Sequence, residues 1–115
     1  MEDKLIELLE TFGFPVFRQG SLSENEEYPL AFFTFWCNEE VEGSAYDNET
    51  QSVYYDFDVN VYSEDVEKAY SLLKEARTLL KANGFAIIRR GYDVMSDEKT
   101  HVGRGMNVVY INIEN

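Results

Sequence analysis

The run SVYYDFDVNVYS, Ser52 to Ser63, alternates without a break, with Val53, Tyr55, Phe57, Val59 and Val61 on one side and Ser52, Tyr54, Asp56, Asp58, Asn60 and Tyr62 on the other. Successive side chains of an extended strand point to opposite faces, so this pattern predicts a strand with one apolar face and one polar face. Asp56 and Asp58 would repel each other if desolvated, so the polar face is expected to be wet. Directly afterwards the period changes from two to 3.6. Ser63 is placed to cap a helix whose apolar stripe is Val66, Ala69, Tyr70, Leu72, Leu73, Ala76, Leu79 and Leu80, with Glu64, Asp65 and Glu67 at its positive end, Lys81 near its negative end and Gly84 as its stop. Glu64 and Lys68 are spaced to pair across one helical turn.

The remaining elements follow from the same two periods. Glu2 to Phe12 carries Leu5, Ile6, Leu8, Leu9 and Phe12 at helical spacing before Gly13, and PVFRQ after it reads as a short strand. Leu30 to Asn38, LAFFTFWCN, is apolar on both faces, so it needs cover twice, from helices on one side and from more chain or a partner subunit on the other. FAIIRR (Phe85 to Arg90) and NVVYINIE (Asn107 to Glu114) complete five strands. The predicted order is α-β-β-β-α-β-β, an α+β single domain over residues 1–115, with a mostly antiparallel sheet and both helices packed on one face. A chain of 115 residues can bury about two thirds of its unfolded surface, and its eight Tyr and eight Phe supply the apolar area.

Charge narrows the function classes. The formal net charge is −12, and between Gln19 and Glu67 there are 13 acids and no Lys or Arg, against 9 acids and 10 bases elsewhere. Such a surface repels phosphate backbones, which argues against sequence-specific nucleic-acid binding, although solubility alone accounts for it equally well. The lone Cys37 cannot form an internal disulfide, and no CxxC or His/Cys cluster suggests a metal, so a reducing cytoplasm is the simplest setting. No stretch reaches the roughly 20 apolar residues of a membrane span, and the acidic N-terminus reads as neither a signal peptide nor an anchor.

The candidate chemistry is thin. His101 lies near Asp97 and Glu98 in the loop YDVMSDEKTHVGRGM, but no nucleophile elbow accompanies it, and a lone loop histidine more often packs against backbone. Asp47, Asn48 and Glu49 do not have the spacing of a calcium loop. Asp56 and Asp58 resemble a carboxylate pair but sit on an open strand face. Gly103-Arg104-Gly105 lacks the lysine and helix start of a phosphate loop and reads as a turn, leaving Arg104 free to clamp a carboxylate on a neighbouring subunit. The expectation is a protein without catalytic residues, metal or cofactor.

The stretches FGFPVFRQGSLSENEEYPLAFFTFW, YDFDVNVYS and GYDVMSDEKTHVGRGMNVVYI, taken in this order, resemble tail-completion proteins of long-tailed phages and prophages of Gram-positive bacteria, a group that includes tail terminators and head–tail joining proteins. The resemblance implies a structural virion subunit, made in the host cytoplasm, that self-associates into a ring, commonly of six, on the tail tube. It would contact tail-tube and head–neck proteins and let DNA pass without specific binding. On that reading Glu39, Glu40, Glu42, Asp47, Glu49, Asp56 and Asp58 face the lumen or a partner, and Asp97 and Arg104 make subunit contacts. The alternative is an acidic phage-encoded inhibitor that mimics DNA toward a basic host protein.

Overall fold

The computed structural model describes residues 1–19, 29–42, 51–96 and 100–114. The elements are α1 (Glu2–Glu10), β1 (Val16–Arg18), β2 (Ala31–Glu42), β3 (Gln51–Ser63), α2 (Val66–Ala82), β4 (Ala86–Val94) and β5 (Val102–Glu114). This is the predicted α+β order. The sheet runs β1-β2-β3-β5-β4. Only β1 and β2 pair in parallel; the other three neighbours are antiparallel. Since β5 is antiparallel to both β3 and β4, those two run parallel, joined through α2 with β5 filling the slot between them.

The alternating run does what its pattern demands. Phe57, Val59 and Val61 of β3 are fully buried, each flanked on the same face by a β2 residue and a β5 residue: Phe35 and Met106 beside Val59, Phe33 and Arg104 beside Val61. Onto this face α1 lays Leu5 and Leu9, and α2 lays Ala69, Leu72, Leu73, Ala76 and Leu80, forming one core. Burying a phenylalanine such as Phe57 contributes about 1.5–3 kcal/mol, so this layer dominates the stability. Helix α2 ends as expected, with Gly84 at φ +93°, its N–H bonded to the Lys81 carbonyl and the Phe85 N–H bonded to the Leu80 carbonyl. That pair of bonds is the glycine-dependent closure of a helix C-terminus.

Several boundaries differ from the sequence expectation. The N-cap of α2 is Asp65, whose carboxylate accepts from the Glu67 N–H at 3.0 Å, while the buried Ser63 hydroxyl accepts from the Asp65 N–H at 3.1 Å. The helix therefore starts two residues later than Ser63 would set it. Glu64 is left outside the helix, and Lys68 lies over the Phe14 ring at 4.8 Å. Strand β2 runs on to Glu42, past the Asn38 at which the sequence pattern ends it, because antiparallel pairing with β3 continues past a bulge between Cys37 and Glu39. The bulge inserts Asn38 and reverses the faces beyond it. Glu39 thereby comes to face the same side as Asp56, its partner across the ladder.

Gly103-Arg104-Gly105 is strand, not turn. A Cβ on Gly103 would lie 2.6 Å from the Val94 carbonyl oxygen and 2.8 Å from the Tyr62 ring, and one on Gly105 would lie 2.7 Å from Val94 Cγ2 and run into the Asn60 side chain. The missing side chains make the room that Tyr62, Val94 and Asn60 occupy. Gly103→Ala is expected to lower stability by about 1–3 kcal/mol through overpacking against backbone, measured by denaturant unfolding.

Candidate functional site

The helix-free face of the sheet holds Glu39, Asp56, Asp58 and His101 of the residues singled out from the sequence. Phe32 is buried there, stacked on Tyr62 with centroids 5.2 Å apart and edge-on to Phe17 at 5.9 Å, so the chain itself covers this half of the doubly apolar strand. Farther along, Trp36 is exposed. His101 is buried beside Phe32, its Nε2 2.7 Å from the Pro29 carbonyl and its Nδ1 2.9 Å from the Thr100 hydroxyl. The short contact to a carbonyl makes Nε2 the protonated nitrogen, with Nδ1 accepting from Thr100. The Nε2 contact ties the segment at Pro29 to the start of β5.

Asp56 and Asp58 are half-buried rather than wet. The Asn107 amide nitrogen donates to Asp56 Oδ1 at 2.6 Å and lies 3.1 Å from Asp58 Oδ1, Asn38 donates to Asp56 at 3.3 Å, and the Tyr92 hydroxyl donates to Asp58 at 3.3 Å. Donors from β2, β4 and β5 thus converge on two carboxylates of the central strand, which is how like charges two residues apart can be held in a sheet. One row over, the Asn60 amide donates to Gln19 at 3.3 Å. Sequence reasoning missed Asn107 and Tyr92 because their role depends on register: Asn107 lies directly across from Asp58, and Tyr92 across from Gly105.

Arg104 is on the other face. Its Nη1 lies 2.9 Å from Asp93 Oδ1, its guanidinium carbon is 4.5 Å from the centre of the Tyr70 ring, and its buried Nε has no hydrogen-bond partner. Within the chain Arg104 pairs with the carboxylate of Asp93, the residue across the ladder. Glu39 and Glu40 are exposed on the part of β2 that runs past β1, which pairs only with Phe33 to Phe35, and Glu42 closes that strand. Asp47, Glu49 and Asp97 lie outside the described residues. The expected set therefore divides between the hydrogen-bonded pair Asp56 and Asp58, the open edge of β2, and Arg104 across the sheet.

Around Arg104 the structure assembles what the sequence reading did not single out. Lys74 and Arg77 of α2, Arg90 and Gly91 of β4, and Arg104 line a cleft of about 710 Å³ together with Val66, Tyr70 and one carboxylate, Glu67. Burial, and then the charges of Arg90 and Arg104, hold the Arg77 guanidinium below its ordinary pKa. The available signal was helical spacing: Tyr70, Lys74 and Arg77 follow one another at i, i+4 and i+7. Half-buried Cys37 carries a thiol pushed upward by burial and then by Glu2 and Glu40, which disfavours the reactive thiolate. Among the described residues, no group of three or more His, Cys, Asp or Glu is placed to hold a metal ion, and no helix is long and apolar enough to cross a membrane.

The sequence matches no protein-family model and no curated protein.

The Tyr92 phenol is pushed up to about 12 by burial and then by the charge and hydrogen bond of Asp58. A phenol whose folded pKa lies above its unfolded value of about 10 stabilises the fold fully below pH 10, and that contribution is lost as pH rises toward 12. Ultraviolet titration of the wild type minus Tyr92→Phe is expected to show one tyrosine ionising near pH 12, and Tyr92→Phe is expected to lower stability at pH 7 by roughly 1 kcal/mol.

Proposed function

We propose that this protein is a structural subunit of a phage tail or neck, which joins others of its kind in a ring that caps the tail tube and meets the head. The single observation that carries the reading, beyond the resemblance in sequence, is a sheet that outruns its helices. The last row to touch the core is Tyr55 with Tyr110, yet β3 and β5 continue as a paired ladder through Gln51 and Glu114, with β2 beside them to Glu42. Four further residues extend the sheet by about 13 Å. The molecule measures 51 × 28 × 22 Å with a radius of gyration of 15.2 Å, against about 13 Å for a compact chain of this length.

On this arm Val41, Tyr54 and Ile111 stand side by side across three strands, with Val41 and Ile111 exposed. A projecting sheet with an exposed apolar row, and an edge unpaired among the described residues, suits a subunit that adds to its neighbours better than an isolated monomer. The same feature weighs against the DNA-mimic alternative, which calls for carboxylates displayed on a continuous surface. Asp56 and Asp58 are instead engaged by Asn107, Asn38 and Tyr92, and the bases gather in a cleft of their own. In this reading the chain performs no catalysis.

The test is to disrupt the gene in its own genome and image the particles. Overlong tail tubes identify a terminator, and full heads separated from tails of normal length identify a joining protein. Intact, infectious particles without the protein refute the proposal.

A further inference from the structure

The cationic cleft is an anomaly in a chain of net charge −12. Lys74, Arg77, Arg90 and Arg104 converge on it, and an adjoining groove adds Lys81. Among the described residues only Arg104 has a carboxylate partner, Asp93; Arg77 donates instead to the Arg90 carbonyl at 2.9 Å. Like charges held this close repel one another, and a bound anion relieves that repulsion. The cleft is more than a charge cluster, because Val66 and Tyr70, each about half exposed, form part of its wall. A free phosphate uses only the charges. A peptide strand with carboxylates beside apolar side chains uses both.

Such a strand is present in the same molecule. Beyond Phe35 this edge of β2 has no strand partner among the described residues; there Glu39 and Glu40 are exposed, on opposite faces of the strand, and take part in no ion pair among the described residues, with exposed Trp36 and Val41 on the Glu39 face. The two surfaces cannot meet within one chain. In the order β1-β2-β3-β5-β4, strands β2 and β4 are three spacings apart, about 14 Å. Along the strands, the Glu40 row at Tyr55 and the Arg104 row at Val61 are six residues apart, about 20 Å.

The geometry points to a head-to-tail contact in which the open edge of β2 from one copy of this chain docks into the cleft between α2 and β4 of the next. The inference rests on the assembly reading and names the surfaces it uses. Different patches on the two partners make the interface heterologous, the kind that closes into a ring when the rotation permits.

Zero-length carbodiimide coupling tests it on the full chain at low salt, with equal amounts of unlabelled and nitrogen-15-labelled protein. Mixed-isotope peptides joining Glu39 or Glu40 to Lys74 or Lys81 are expected. Arg77→Glu/Arg90→Glu and, separately, Glu39→Lys/Glu40→Lys are each expected to weaken self-association roughly tenfold by sedimentation, with far-ultraviolet circular dichroism confirming the fold, and mixing the two variants is expected to restore it. Absence of these cross-links at about 1 mM wild-type protein overturns the proposal, as does association indifferent to both charge reversals, which leaves a ring built through other surfaces. Stabilisation of the wild type by inorganic phosphate or a short DNA duplex, lost in Arg77→Glu/Arg90→Glu, assigns the cleft to phosphate and also overturns it. Cross-links and charge rescue together with intact virions in the gene disruption leave the contact standing and remove the phage role.

Discussion

Strand β3 is the piece on which the rest depends, because it is paired along its length on both sides and is asked for opposite things by its two faces. Toward the helices it offers the apolar row Val53 to Val61, and the burial of Phe57, Val59 and Val61 anchors both α1 and α2. Toward the other side it offers Asp56, Asp58 and Asn60, whose demands can be met only if the neighbouring strands bring donors to the right rows. A slip of one residue would exchange the faces, placing carboxylates under the helices and phenylalanine among amides. The register is therefore held by two independent requirements, one apolar and one polar.

This explains what was legible in the sequence. The order of elements, the core stripe of α2 and its Gly84 stop were readable because each depends on the period of one segment and on the chemistry of one residue. Boundaries that depend on a partner were not. Asp65 replaces Ser63 as the cap because Ser63 is still paired in β3 and is buried there. Strand β2 persists through Asn38, Glu39 and Glu40 because β3 beside it is long enough to keep pairing, whatever the strand preference of those residues. The glycines of β5 suggest a turn until the bulk of Tyr62 and Val94 is brought beside them.

The candidate sites divide in the same way. Asp56, Asp58, Glu39, Glu40 and Arg104 could be singled out by type, but their surroundings are tertiary. Two carboxylates expected in water are hydrogen-bonded within the sheet, and Arg104 pairs with Asp93 across the ladder. The basic cleft was hidden because its members come from three elements, and their sum is visible only when α2 is laid across β4 and β5. The sequence confines the acidic excess to Gln19–Glu67; the fold shows where the bases outside that span gather.

The bulge at Asn38 separates two regimes of one strand. Before it, β2 obeys the core, and its alternate residues answer to the helices. After it, the alternation restarts in the opposite phase, and Glu39, Glu40 and Val41 are exposed. Substitutions on either side of Asn38 therefore act on different properties, stability before it and surface character after it. A lineage carrying this chain could vary the outer strand while leaving the folded body unaltered.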